Sequence, residues 1–382
     1  MSELATSIKP AELLQSATVA ENAPVPAGSP SPVNMQCAGA SENPGRAPFQ
    51  GAFKIALFFF IVALLAFALN LAINHGLRSI KTSKFGAFNQ VMSGRVNADI
   101  VISGSSRALC HYDPRTLQKM TGQSAFNLGM NSSQIDVQLA VLKTYLKHNA
   151  APKLVIQNLD LFTFVTTRKG EIYDPGHFLP YLYEAELYEA LVRIDSEVWK
   201  WKHIPLYGYA VADMRYTSIS GLLGCLGISG REDYFLGFNP RNEKWSRDFE
   251  NFRASNPDGV NFPVEPEGVR ALEALIRTCR EKGIQVILVY SPEYYEMQKL
   301  ELNREKIIGM FQEISKRFDV PFWDYSASPL CRQEQLFHNS QHLNADGAAL
   351  FSADFASRLA GYNPTTALRN SGAEHEKRPL PH

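Results

Sequence analysis

The stretch from Ile55 to Ile73 constrains this chain more than any other. It is an apolar run of roughly 19 residues, interrupted only by Asn70. That is about the length needed to cross the hydrocarbon core of a bilayer. The run is apolar all round, with Phe58, Phe59 and Phe60 inside it, and this favours a membrane span over the alternative of a buried core helix. Lys54 flanks one end, and Arg78, Lys81 and Lys84 flank the other. The span, taken as residues 53–75, starts too far into the chain for a typical cleaved signal, so the expectation is an uncleaved, single-pass anchor with bilayer lipid as its partner. Residues 1–50 are rich in Ala, Pro, Ser, Asn and Glu. Such a segment cannot bury enough apolar surface to offset its ordering entropy, so a disordered tail is expected there.

The chain has 382 residues and a formal net charge of zero. That leaves no electrostatic footprint for nucleic acid, and none is expected as a partner. Five scattered cysteines show no CxxC or zinc-type spacing, and nine histidines form no HExxH cluster. Neither a disulfide framework, a metal site nor a cofactor is expected.

From Ala98 onward the pattern alternates. Ile100, Val101 and Ile102 form a short β-branched run that enters a tight turn, Gly104-Ser105-Ser106-Arg107. Asp113-Pro114 predicts a helix start, 124–129 a second strand, 133–148 an amphipathic helix, and 152–159 a third strand. Residues 162–265 break the alternation and hold Trp199, Trp201 and Trp245. They predict an aromatic-rich cap folded over the carboxyl edge of the sheet, its aromatics forming either a stacking surface for sugar rings or the cap's own small core. The alternation resumes with a helix over 267–282, a strand over 284–290, a helix over 302–318, a strand over 320–325 and a closing helix over 345–359. The expected fold class is α/β: a three-layer αβα sandwich with a mainly parallel sheet. Its first half is 95–161, its second half 266–361, and a loose tail covers 362–382.

In an open α/β sheet, ligands bind at the carboxyl ends of the strands, where Ser106 falls. The Gly104-Ser105-Ser106 turn alone could be an ordinary turn. Two distant stretches add to it. Asn339-Ser-Gln-His342-Leu-Asn-Ala-Asp-Gly-Ala348 leads into the closing helix, and Asn127-Leu-Gly129-Met-Asn-Ser132 follows the second strand. In this order the three stretches resemble the motifs of the SGNH (GDSL-type) hydrolase superfamily, which implies an SGNH/flavodoxin-like type of sandwich. The resemblance makes Ser106 the nucleophile and His342 the general base, with Asn339 standing where the family has an aspartate. It implies an oxyanion hole from Gly129, Ser132 (in place of a glycine) and Asn158, although the third motif, Gln157-Asn-Leu-Asp160, departs from the family's Gly-x-Asn-Asp. Ser105 stands in place of the aspartate of the first motif.

The layout also resembles membrane-anchored proteins of bacterial exopolysaccharide clusters and the alginate O-acetylation proteins. That implies a serine esterase or O-acyltransferase acting through an acyl-enzyme, acetylating or deacetylating a cell-surface polysaccharide, with a membrane acyltransferase as a candidate further partner. The alternative is a catalytically inactive SGNH-like scaffold or polysaccharide-binding protein of an exopolysaccharide assembly system. A nucleotide-binding reading lacks any GxGxxG or GxxxxGK[ST] loop. Basic residues are slightly denser after the span, which by the positive-inside rule would put the domain in the cytoplasm. The relatives work outside it, so the resemblance implies an inner-membrane protein with an extracytoplasmic or periplasmic domain.

Overall fold

The computed structural model describes residues 47–210, 214–230 and 233–362. Most of the tail expected over 1–50, and the loose segment after 362, lie outside the described residues. The first helix, α1 (Ala47–Ser79), starts inside the span assigned to the tail. Its Gly51–Ser79 portion is long and apolar enough to cross a membrane. The next helix, α2 (Ser83–Met92), turns its buried side, Phe85, Phe88 and Val91, toward the domain. Asn89 fastens the break between the two helices. Its side-chain amide donates to the carbonyls of Leu77 and Ile80, both at 2.8 Å. The end of α1 therefore does not leave those acceptors bare.

The sheet follows. Its order along the chain is β1 (Ile100–Ser103), α3 (Ser106–His111), α4 (Pro114–Thr121), β2 (Ala125–Asn127), α5 (Ile135–His148) and β3 (Leu154–Leu159). An insertion carries α6 (Ala185–Ile194), α7 (Val198–His203), α8 (Tyr207–Ala210), α9 (Arg215–Cys225) and α10 (Asp248–Ser255). The second half holds α11 (Pro266–Glu281), β4 (Gln285–Tyr290), α12 (Tyr295–Gln298), α13 (Arg304–Arg317), β5 (Phe322–Asp324), β6 (Phe337–Asn339), β7 (His342–Leu343) and α14 (Ala345–Ala360). The sheet has five strands in the order β2-β1-β3-β4-β5, and every pair is parallel.

Side-chain alternation along β1 sorts the two faces. Val101 joins one core with Val155, Leu142 of α5, Leu275 of α11 and Phe311 of α13. Ile100 and Ile102 join the other with Ile156, Leu117 of α4, and Phe351 and Phe355 of α14. The result is the expected three-layer α/β sandwich. The chain enters at β1, steps outward to β2, then crosses back to β3 on β1's other side. The order therefore reverses between β1 and β3, which makes the crevice at their carboxyl ends the place for a ligand.

The insertion also makes contacts away from the sheet: Tyr209 of α8 donates to Asn74 of α1 at 2.5 Å. At the carboxyl edge, Tyr173, Asp174 and His177 line a cavity with Asn127, Gly129 and Met130, and the part from 233 onward bonds to the edge directly. There Asn127 N–H donates to the Leu236 carbonyl at 2.9 Å, Asn239 N–H to Leu109 at 3.1 Å, and Ala345 N–H to Arg241 at 2.7 Å. Its aromatics are dispersed as well. Trp245 packs on Tyr294 at a ring-centroid distance of 4.8 Å, as a packing residue, whereas Trp199 and Trp201 sit on α7. The short β6–β7 hairpin is an addition to the expected elements.

Gly104 makes the turn out of β1. Its φ is +150°, and a Cβ there would lie 2.7 Å from Ala108 Cβ and 2.9 Å from Asn158 Cβ. Gly104→Ala should therefore cost about 1–3 kcal/mol. It should be seen as a lowered thermal midpoint of the full chain in detergent; an unchanged midpoint would show that the turn tolerates a side chain.

Candidate active site

The turn at Gly104 puts Ser105 at the N-cap of α3, where its Oγ accepts from Arg107 N–H at 3.3 Å. Ser106 is then the first residue of the helix. From the other end of the chain, β6 and β7 form a hairpin in which Asn339 pairs with His342 across a two-residue turn. This brings three side chains into line. His342 Nε2 is 2.7 Å from Ser106 Oγ, and His342 Nδ1 is 2.8 Å from Asn339 Oδ1.

The protonation pattern follows from the backbone. Asn339 Oδ1 also accepts the N–H groups of Gln341 at 3.1 Å and His342 at 3.0 Å. Two backbone donors can only face an oxygen, so the carbonyl end of the amide is the end that meets the ring. Nδ1 must then carry the proton. Nε2 presents its lone pair to the Ser106 hydroxyl, which donates to it. A histidine oriented this way is ready to take a proton from the serine.

A second histidine supports the first. His111, at the end of α3, is fully buried. Its Nε2 accepts Leu343 N–H at 3.0 Å, so its Nδ1 donates to Ser291 Oγ at 2.9 Å. The Leu343 amide immediately follows His342, so His111 holds the strand that carries the base. Burial first, then the charges of Arg107 and His342, keep His111 well below the usual histidine range. Protonating it would strand the Leu343 N–H in the interior.

Beneath the serine lies a buried charge pair. Arg107 Nη1 is 3.4 Å from Asp160 Oδ1, and both side chains are almost wholly buried. Ser105 Oγ donates to Asp160 Oδ2 at 2.6 Å. Arg107 also donates to the carbonyls of Ser291 and Pro292 and stacks on the Tyr290 ring at 4.5 Å.

His342 itself is pushed down to about 3, by burial first and then by Arg241, Arg107 and His338. No carboxylate forms an ion pair with it among the described residues. Arg241, from the late insertion, donates to Asn131 Oδ1 at 3.0 Å and forms no salt bridge among the described residues. A cation without a carboxylate partner thus acts on the imidazole of this site.

The other residues singled out from the sequence are placed as follows. Gly129 N–H is committed to Asn127 Oδ1 at 2.8 Å. A Cβ on Gly129 would lie 2.3 Å from Leu109 N, so this glycine lets the β2 turn rest on α3. Ser132 is exposed and left-handed, with φ +51°. Asn158 is 1% exposed, and its Oδ1 accepts the Tyr112 hydroxyl at 2.9 Å. None of these three has a hydrogen bond to Ser106 or His342. Sequence reading missed His111 and Arg241. His111 carries a weak signal, lying five residues after Ser106 in one short helix; Arg241 carries none.

Tautomer and charge state can be read directly. In ¹⁵N-histidine spectra of the full chain, His111 and His342 should both appear neutral and Nδ1-protonated at pH 5, where an ordinary histidine is mostly cationic. The unfolded chain takes up these protons below about pH 6.5 and the folded chain refuses them. The stability they contribute is therefore present above that pH and declines as pH falls toward 3. Cationic shifts for both residues at pH 5 would contradict the geometry.

No family model matches the chain, and no curated protein matches it. Among solved structures it is similar to a "putative lipolytic protein of G-D-S-L family" from Desulfitobacterium hafniense, at 12% identity and a TM-score of 0.33, over 68% of this chain and 97% of that one. It is also similar to an acylhydrolase, likewise named putative, from Bacteroides fragilis, at 10% identity and a TM-score of 0.32, over 68% and 87%. In this chain the parallel sheet runs in the order 2-1-3-4-5, the serine lies one residue past the turn after β1, and the histidine lies just ahead of the closing helix.

Proposed function

We propose that this chain is a serine esterase or O-acyltransferase held in the membrane by α1. The observation that carries the reading is the 2.7 Å contact between Ser106 Oγ and His342 Nε2, made by residues 236 positions apart, with the far side of the ring fixed by Asn339. In the proposed reaction Ser106 Oγ attacks an ester carbonyl while His342 Nε2 takes its proton. The tetrahedral intermediate collapses to an acyl-serine as His342 returns the proton to the leaving alcohol. Water or a sugar hydroxyl then resolves the acyl-enzyme by the reverse sequence. The Ser106 N–H, at the first position of a helix, has no intrahelical acceptor and is the oxyanion donor we favour. Arg241 adds positive charge nearby, and negative charge that develops in the transition state gains from such groups. Gly129 donates elsewhere and is left out of this scheme.

The substrate we favour is an ester on a cell-surface polysaccharide, with the domain on the extracytoplasmic side of the inner membrane. Support for this comes from the layout of anchor, sheet and insertion. A second reading, an inactive scaffold, is favoured by one observation: the ring has an amide where a carboxylate would stabilise its cationic form.

Two variants separate the readings. The full chain in detergent should hydrolyse p-nitrophenyl acetate and take a fluorophosphonate label, and Ser106→Ala should lose both. Equal signals from wild type and Ser106→Ala would leave only the scaffold. Asn339→Asp should raise kcat about tenfold or more, since each unit of imidazole basicity regained is worth about 1.4 kcal/mol. The low value for His342 also predicts a kcat/KM that is flat from pH 5 to 8, whereas Asn339→Asp should introduce an acid limb as the folded-state value rises.

A further inference from the structure

One helix of the insertion is built inside out for a water-exposed surface. Residues 216–230 read Tyr-Thr-Ser-Ile-Ser-Gly-Leu-Leu-Gly-Cys-Leu-Gly-Ile-Ser-Gly, with no charge among them, and Arg215 and Arg231 flank the stretch. On α9 the small residues Thr217, Gly221 and Gly224 are buried. The large apolar ones face outward: Ile219 is 52% exposed, Leu222 41%, Leu223 39% and Leu226 75%. A soluble helix arranges these the other way round. Small residues inward and large apolar residues outward is the pattern of helices packed within a bilayer.

The buried side of α9 rests on α1, backbone against backbone. A Cβ on Gly76 would lie 1.7 Å from the Gly221 carbonyl oxygen, and one on Gly224 would lie 2.3 Å from the Gly76 carbonyl oxygen. Cys225 Sγ donates to the Ala72 carbonyl at 3.0 Å. The exposed apolar surface of α1 ends at Leu71, and from Ile73 onward its apolar side chains are covered. The contact with α9 begins where that exposure ends. Leu206 N–H reaches Asn70 Oδ1 at 3.1 Å at the same level. The apolar run of α1, Ile55 to Ile73, is about the length needed to cross a bilayer core, and α9 packs at its end. At 11 residues, α9 is too short to cross by itself.

We propose that α9 and the turn after it, residues 216–230, are embedded in the leaflet nearest the domain. Their outward side chains then continue the lipid-facing surface of α1. The proposal rests on the reading of α1 as a membrane span. It makes the domain a body attached to the bilayer at two points, rather than one tethered by a single helix. The partner is the acyl region of the lipid.

The test uses the full chain in phosphatidylcholine–phosphatidylglycerol vesicles, in a background with Cys37→Ser and Cys225→Ser; the remaining cysteines are buried. An environment-sensitive fluorophore is attached in turn through Leu222→Cys, Leu226→Cys, Leu64→Cys on α1, and Glu281→Cys on the exposed domain surface. Labels at 222 and 226 should be quenched at least twofold by doxyl lipids and little by aqueous iodide, as at 64; the label at 281 should behave in the opposite way. Iodide quenching at 222 and 226, with doxyl quenching kept at 64, would overturn the embedding of α9 and leave the α1 span standing. Shielding from both quenchers would also overturn it, and would point to protein covering this face. Loss of doxyl quenching at 64 would overturn the span and the α9 proposal together.

Discussion

The site depends on a charge pair that no solvent reaches. Arg107 and Asp160 leave the carboxyl ends of β1 and β3, the two strands between which the sheet order reverses. Arg107 goes on to the Ser291 and Pro292 carbonyls beyond β4, so one guanidinium ties three strand ends together. A buried pair of this kind adds little net stability, but removing one partner strands the other at a cost of about 3–5 kcal/mol. Arg304, which also lies over the Tyr290 ring, contacts Glu293 at 2.9 Å and Glu301 at 2.6 Å. Burial and the nearby Glu293 push the Glu301 carboxyl up. Ser105 completes the floor by donating to Asp160 at 2.6 Å.

Asn339 puts an amide, not a carboxylate, beside the His342 ring. An aspartate beside a catalytic histidine does two things: it selects the tautomer and it stabilises the imidazolium. Exchanging such an aspartate for asparagine in a serine protease costs about 10⁴-fold in turnover, because the wrong tautomer results. Here the hairpin prevents that failure. Two main-chain N–H groups hold the amide oxygen against the ring, so the tautomer survives the exchange. The charge does not survive, and burial with Arg241 nearby then drives His342 down. The site therefore has the geometry of a base with weakened basicity.

Much of this was legible in the chain. The β-branched runs and the Gly104 turn locate β1 and the serine, and Asp113-Pro114 marks α4, whose N-cap side chain accepts from Arg115 N–H. The parallel sheet follows from the alternation of elements. Other features were invisible for physical reasons. The sequence shows that residue 339 is asparagine but not which end of its amide faces the ring, because the hairpin's main chain decides that. His111 acts through a bond to a main-chain amide 232 positions away, and no local spacing reports such a contact. The insertion misled for a different cause. Aromatic content says that residues will pack, but not against what: Phe178 and Tyr181 pack on Phe88 of α2, and Trp245 on Tyr294.

That insertion also joins two ends of the molecule. Gly221 and Gly224 sit on α1, while Arg241, later in the same insertion, donates to Asn131. The Arg241 carbonyl also accepts the N–H of Ala345, the first residue of α14, and so lies beside the hairpin that presents the base. The same insertion thus holds α1 through the backbone contact of Gly221 with Gly76 and holds the start of α14 through the Arg241 carbonyl.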